Sequence, residues 1–270
     1  MKYKLFISDY DGTLGVAPIN DIHPETLKAI NKFIDKGGIF AVCSGRETSS
    51  ITRILREQNL KGIVVSFQGA RISDIESGKI LFNGGLTIQK VLEVLDAVDG
   101  RGLIPLVYCD DEIIYEKSNE YIKRYERAIR LDGREADVRV ELKKLSGGVC
   151  KIVWLGEDEV VNKTAEELNK VYKGVGVKFN SGAKNLLEAI NPDCGKGVAV
   201  KFLADYYGVS LDQVIAVGDS TNDIDLLSGP WHGVCVGDGR DELKAVADEI
   251  TVPYEQKPVK VLLEKYCLND

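Results

Sequence analysis

Residues 4–14 read KLFISDYDGTL, and the order of residue types in this stretch decides the fold. Leu5, Phe6 and Ile7 make a short apolar run of the kind a buried strand needs, and Asp9 and Asp11 follow it with only Tyr10 between them. The turn Gly12-Thr13 then closes the run. A strand that leaves a core on two like charges needs something to compensate them, because each carboxylate raises the cost of ionising the other. Tyr10 is expected to turn toward the core, so that the two carboxylates leave the strand end by different routes.

Working outward, strand-like and helix-like segments alternate. HPETLKAINKFIDKGG (23–38) sets Leu27, Ile30, Phe33 and Ile34 on one helical stripe, with Pro24 in the first turn and Gly37-Gly38 as the stop. IFAVCSG (39–45) reads as a second buried strand, ETSSITRILREQNL (47–60) as a helix with Ile51, Ile54 and Leu55 inward, and GIVVSFQGA (62–70) as a third strand. Buried strands alternating with amphipathic helices predict an α/β fold, a parallel sheet with helices on both faces.

The rhythm changes at a hairpin signal, Glu76-Ser77-Gly78-Lys79. Denser strand-turn punctuation follows in GLIPLVYCDDEIIYE (102–116), DVRVELKKL (137–145), CKIVWLG (150–156) and GVKFNSG (176–182). Residues 84–188 therefore read as an inserted α+β domain, hinged near Gly84-Gly85 and Asn191-Pro192. The first rhythm then resumes, with a helix at 197–208, strands at 213–220 and 233–239 and a helix at 240–249. Residues 1–83 and 189–270 are expected to form one core split by the insertion.

Composition narrows the function. Asp and Glu outnumber Lys and Arg by 42 to 35 in 270 residues, for a net charge of −7, which disfavours a nucleic-acid binder. An anionic substrate stays possible, since a bound cation and a few local lysines reverse the field at one site. The six cysteines (Cys43, Cys109, Cys150, Cys194, Cys235 and Cys267) have no paired spacing and read as reduced core thiols. No stretch approaches the roughly 20 apolar residues of a membrane span, and the first residues lack a signal-peptide apolar run. A soluble cytoplasmic protein is expected.

Three further clusters sit at strand or helix ends, where α/β sheets bind ligands. AVCSGRE (41–47) puts Ser44, Gly45 and Arg46 after the second strand. NPDCGKGVAV (191–200) sets Lys196 between two glycines at a helix start, and AVGDSTNDIDLL (216–227) carries Asp219, Asn222 and Asp223 in the turn after a late strand. Asp9, Asp11 and Asp219 cannot all ionise side by side unless a hard cation shares their charge, and an oxygen-only ligand set favours Mg²⁺ over zinc. The Ser44 hydroxyl, the Gly45 N–H and the Lys196 ammonium are the donors that phosphate oxygens need, with a helix dipole behind Lys196. Two aspartates can divide the work, one attacking phosphorus and the other handling the proton.

DYDGTL (9–14), SGR (44–46), GKG (195–197) and GDSTND (218–223) resemble, in order, the four signature motifs of the haloacid dehalogenase-like hydrolases. The insertion between the second and third motifs resembles the Cof-type phosphatase subgroup. That resemblance implies a Rossmann-like core, a mobile α/β cap and Mg²⁺-dependent hydrolysis of small phosphorylated metabolites through an aspartyl-phosphate. It makes Asp9 the nucleophile and Asp11 the general acid/base. Gly12, Ser44, Gly45, Arg46, Lys196 and Asn222 become phosphate or substrate contacts, with a structural ion pair as the alternative for Arg46. The metal falls to Asp9, Asp219, the Asp11 backbone carbonyl and Asp223, which alternatively orients Lys196. The chain departs from the subgroup at Gln68-Gly69-Ala70, where Asn-Gly-Ala is common, and at Val236-Gly237-Asp238-Gly239, in place of a Met-Gly-Asn-Ala stretch.

Rival readings are a phosphomutase or phosphotransferase passing the same aspartyl-phosphate to an acceptor, a signalling receiver, and a non-catalytic phosphate binder. Length, the insertion and the Asp-x-Asp spacing disfavour the receiver, and the intact acidic set disfavours the non-catalytic binder. Ser44 also suits the N-cap of the following helix. Asp225 is read as a surface or capping charge, His23 and His232 as capping or loop residues, and Trp154 and Trp231 as packing residues. Asp110-Asp111 reads as a turn, and EYIKRYERAIR (120–130) as a solvated amphipathic helix, the alternative being a basic face that reads an anionic substrate.

Overall fold

A computed structural model describes residues 1–15, 21–109, 112–129, 131–145 and 148–268; Asp110, Asp111 and Arg130 lie outside them. Two compact units result, one of residues 1–82 with 195–270 and the other of residues 83–194.

The first unit is built on strands β1 (Leu5–Asp9), β2 (Ile39–Cys43), β3 (Ile63–Ser66), β4 (Arg71–Asp74) and β5 (Ile80–Asn83). The second carries β6 (Ile104–Cys109), β7 (Glu112–Tyr115), β8 (Arg134–Glu135), β9 (Ile152–Leu155), β10 (Lys178–Ala183) and β11 (Leu186–Ile190). The chain then returns for β12 (Val214–Gly218), β13 (His232–Cys235) and β14 (Glu249–Ile250). Helices α1 (Pro24–Asp35), α2 (Thr48–Glu57), α3 (Ile88–Val98), α4 (Glu120–Ile129), α5 (Val138–Leu142), α6 (Asp158–Val171), α7 (Lys196–Tyr207), α8 (Ile224–Leu227), α9 (Asp241–Lys244) and α10 (Pro258–Leu263) intervene.

The core sheet runs β14-β13-β12-β1-β2-β3-β4-β5, parallel from β14 to β3, with β4 antiparallel to β3. β1 is central because its continuous apolar run can be buried on both faces. Leu5 and Ile7 pack with Ala199, Val200 and Leu203 of α7 on one face, while Phe6 packs with Ile30 and Phe33 of α1 and with Val259 and Leu262 of α10 on the other. Side chains alternate along a strand. The residue after Ile7 on that alternation is Asp9, which therefore points to the α7 face, whereas Tyr10 joins the opposite core fully buried. Chain order reverses between β1 and its neighbours β2 and β12, so the crevice at their carboxyl ends is where such a sheet receives a ligand.

The second unit has the sheet order β10-β11-β9-β6-β7-β8, with α3 and α6 packed on the face that carries Val107, Ile152, Trp154, Leu187 and Ala189. Trp154 is core, as its apolar run suggests. The expected boundary at 188/189 cuts through β11, which pairs with β9 from Leu186 to Ala189, and the unit runs on to Cys194.

Two local expectations change. Residues 137–145 read as strand-like but form α5, because the Asp137 carboxylate accepts the Val140 N–H at 3.0 Å and caps a helix start. The expected helix at 240–249 shortens to α9, since Glu249 and Ile250 pair with Val234 and Cys235 to make β14. All six cysteines are free thiols, five of them buried. Among the described residues no helix is long and apolar enough to cross a membrane.

Candidate active site

Helical periodicity aims Lys196 inward. It shares a stripe of α7 with Ala199, Val200 and Leu203, at spacings of three, four and seven residues, and that stripe faces β1. The side chain is 1% exposed, and its Nζ donates to Asp9 Oδ1 at 2.5 Å and to Asp223 Oδ1 at 2.5 Å. Burial alone would depress this ammonium's pKa, but the charges of Asp9 and Asp223 outweigh it and hold it above the usual lysine value. Burial pushes Asp9 in turn well above the carboxylate range, against the pull of Lys196.

Asp223 is fully buried and spends its second oxygen on the chain itself. Oδ2 accepts the N–H groups of Asp219 and Ser220, each at 3.1 Å, within a Ser220-to-Asp223 capping box. This closes the turn at the end of β12 and leaves Asp219 free to face Asp9. Asp219 accepts a hydrogen bond from Thr13 Oγ1 at 3.2 Å. Burial, and then the charge of Asp223, pushes the Asp219 carboxyl up to about 6. Gly12 makes the approach possible: its φ is +90°, and a Cβ there would stand 2.5 Å from Asp219 Oδ2.

Asp9, Asp219 and Asp223 each bring a carboxylate oxygen within 4.8 Å of the others. Lys196 Nζ meets Asp9 and Asp223, and one ammonium cannot offset three carboxylates, so ionising all three together calls for a second cation. The donors are oxygens only and partly buried, which fits Mg²⁺. The Asp11 side chain is elsewhere. Its oxygens accept from Arg46 Nε at 2.9 Å and Nη2 at 2.5 Å, and the guanidinium lies 5.3 Å from the centre of the Tyr10 ring.

Ser44 directly follows β2 near Asp9, because Cys43, the last residue of β2, pairs with Asp9 in the parallel ladder. It is buried, and its Oγ accepts the Arg46 N–H at 3.2 Å, while Glu47 occupies the N-cap of α2. Ser44 thus shapes its own loop instead of capping that helix. Asn222 is exposed in the turn before α8, and the Gly12 N–H is donated to the Gly15 carbonyl at 2.9 Å.

Sequence reasoning missed two participants. Thr13 was read only as a turn residue. Gln68 is left-handed (φ 56°, ψ 33°), its N–H donates to Ser44 O at 3.1 Å, and a Cβ on Gly45 would meet its amide nitrogen at 2.5 Å. His23 does cap α1 through Nδ1, accepting the Glu25 N–H at 3.3 Å, but His232 lies in β13 and pairs with Glu249 at 3.0 Å. The departure from Asn at position 68 was a visible signal; its contact with Gly45 was not.

Comparison with known proteins gives a consistent result. The family profile described as haloacid dehalogenase-like hydrolase matches residues 6–263. A 5-amino-6-(5-phospho-D-ribitylamino)uracil phosphatase of Bacillus subtilis is 25% identical over 270 residues, covering 98% of each chain. An HMP-PP phosphatase of Serratia proteamaculans is 26% identical over 251 residues, covering 93% of this chain and 89% of that one. A crystal structure from Thermotoga maritima superposes with a TM-score of 0.86 at 22% identity, covering 97% of both chains.

Proposed function

The chain belongs to the haloacid dehalogenase-like hydrolases, and we propose that it is a Mg²⁺-dependent phosphatase of small phosphorylated metabolites that works through an aspartyl-phosphate. The observation that carries this reading is the buried Asp9–Lys196–Asp223 triad with Asp219 beside it, at the carboxyl ends of β1 and β12.

Asp9 is the nucleophile: its carboxylate oxygen bonds to phosphorus as the ester P–O bond breaks. Lys196 aims Asp9 and pulls it toward its ionised form against burial, and with Ser44, Gly45 and Asn222 it offers donors to the phosphoryl oxygens. Asp11 gives its proton to the leaving oxygen, then takes one from the water that attacks the aspartyl-phosphate and releases inorganic phosphate. To do so it exchanges the Arg46 guanidinium for the leaving oxygen. Asp9, Asp219 and the Asp11 backbone carbonyl would hold Mg²⁺, with Asp223 behind them, and the ion would offset the negative charge gathered at the phosphoryl group.

Two relatives are named for hydrolysing HMP-PP and a phosphorylated ribitylaminouracil. Phosphorylated heterocyclic metabolites therefore join sugar phosphates as the first substrates to try. The purified protein is expected to hydrolyse an aryl phosphate with Mg²⁺, to lose this in EDTA and to regain it on adding Mg²⁺. Asp9→Asn should abolish turnover with the fold intact. Activity untouched by chelation, or a turning-over Asp9→Asn enzyme, refutes the reading.

A further inference from the structure

Asp225 takes no part in the chemistry above, yet it is built against the turn that carries Lys196. Its Oδ2 accepts the Gly197 N–H at 3.0 Å. A Cβ on Gly195 would lie 2.5 Å from that same oxygen, and one on Gly197 would lie 2.4 Å from the Asp225 backbone carbonyl. Both glycines flanking Lys196 are thus bare on the side that meets Asp225. Gly195 has extended backbone (φ −174°), which any residue adopts, so the approach of Asp225 is what excludes a side chain there. The other side of the turn is occupied too: a Cβ on Gly69 would stand 2.1 Å from the Gly195 carbonyl oxygen and 3.0 Å from the Lys196 nitrogen.

We infer that Asp225 is a positioning residue for Lys196, fixing the first turn of α7 so that the ammonium meets Asp9 and Asp223. The inference rests on the reading of Lys196 as the phosphate clamp. A lysine reaches out on a flexible four-carbon stem, so the point from which the stem starts decides where its charge can be held. No side chain on Gly195, the N-cap residue, satisfies the α7 start. The carboxylate of Asp225 does so from α8, where a negative charge also meets the positive end of the helix dipole. Residues 223–225 therefore grip Lys196 at both ends. Asp223 holds the ammonium, and Asp225 holds the backbone that carries it. The positive end of α7 is answered from within the protein, which leaves the phosphate to the Lys196 side chain.

Four variants test this with an aryl phosphate in Mg²⁺, each scored for KM, kcat, inhibition by inorganic phosphate and thermal midpoint. Asp225→Ala is expected to raise KM and the phosphate inhibition constant about fivefold, the equivalent of one lost cap, with kcat changed less. Asp225→Asn keeps an acceptor oxygen and should restore both constants to near wild type. Gly195→Ala should raise KM by pushing the carboxylate away, and in the Asp225→Ala background it should add nothing. Should Asp225→Ala not fold, Gly195→Ala and Asp225→Asn carry the test. A wild-type KM in both Asp225→Ala and Gly195→Ala overturns the inference, as do additive effects of the two or an Asn variant as impaired as the Ala one. A wild-type protein inactive on every phosphoester overturns the proposed function and this inference with it, whereas an active wild type with unaffected variants overturns the inference alone.

Discussion

Replacing Lys196 by methionine tests the electrostatic logic of the site most directly. Met has nearly the same length and no charge, so Lys196→Met removes the one ammonium while keeping the volume. Each Nζ–carboxylate contact is 2.5 Å. At an effective dielectric of about 20, each is worth roughly 6–7 kcal/mol of gross attraction. Much of that is cancelled by the cost of drying the ammonium, and breaking a buried pair typically leaves a net loss of about 3–5 kcal/mol. Against a domain stability of about 5–15 kcal/mol the loss is large. For a core of this size it corresponds to roughly 6–20 °C in thermal midpoint. The loss should be greatest in EDTA, where Asp9 and Asp223 are left facing each other with no cation. Mg²⁺ should recover part of it, because an ion that binds only the folded state stabilises it by mass action. Removing a competing ammonium should also tighten metal binding, so the variant should gain more from Mg²⁺ than the wild type does. Hydrolysis should nevertheless stay far below wild type. Urea unfolding in EDTA and across a Mg²⁺ titration, alongside aryl phosphate turnover, reads all of this. A variant as stable as wild type in EDTA, or one gaining no more from Mg²⁺ than wild type does, refutes the reasoning.

Two further outcomes follow from the structure. Phe67 and Gln68 are consecutive non-glycine residues in the left-handed region, at φ 51° and 56°. Gln68→Gly should therefore raise the unfolding free energy by up to about 1 kcal/mol while lowering kcat/KM, because the amide beside Gly45 is lost; an unfolding free energy lowered by that amount would show that the backbone is not strained there. Burial pushes the Glu249 carboxyl up, but hydrogen bonds from Tyr266, Lys265 and His232 outweigh it and bring it from 4.5 down to about 2. Because the folded value lies below the unfolded one, the stabilisation is present above pH 4.5 and fades as pH falls toward 2. Glu249→Gln should cost on the order of 1–2 kcal/mol at pH 7 after allowing for its partly exposed partners, and the gap in urea midpoint should narrow steadily below pH 4.5; a gap independent of pH counts against this account.

Much of the site was legible because its signals are local. Period-two alternation sends Tyr10 into one core and Asp9 to the other face, and the 3.6-residue period of α7 sends Lys196 toward β1. The family profile and the folded neighbours agree with the fold that the four acidic, serine and lysine clusters implied. The misreadings at 137–145 and 240–249 came where short segments satisfy more than one pattern. Asp137 made a helix of a Val-rich run, and pairing with β13 ended a helix early.

The sequence by itself determined which side chains leave each strand and helix, and on which face, because backbone geometry repeats within a few residues. Only the tertiary structure decided which of those side chains meet. The pairs Lys196–Asp9, Arg46–Asp11 and Thr13–Asp219, and the seat of Gly197 on Asp225, follow from the strand order β12-β1-β2 and from helices packed across it. Those contacts join residues far apart in the chain. No local periodicity encodes them, because they are selected by how the buried faces of distant elements fit together.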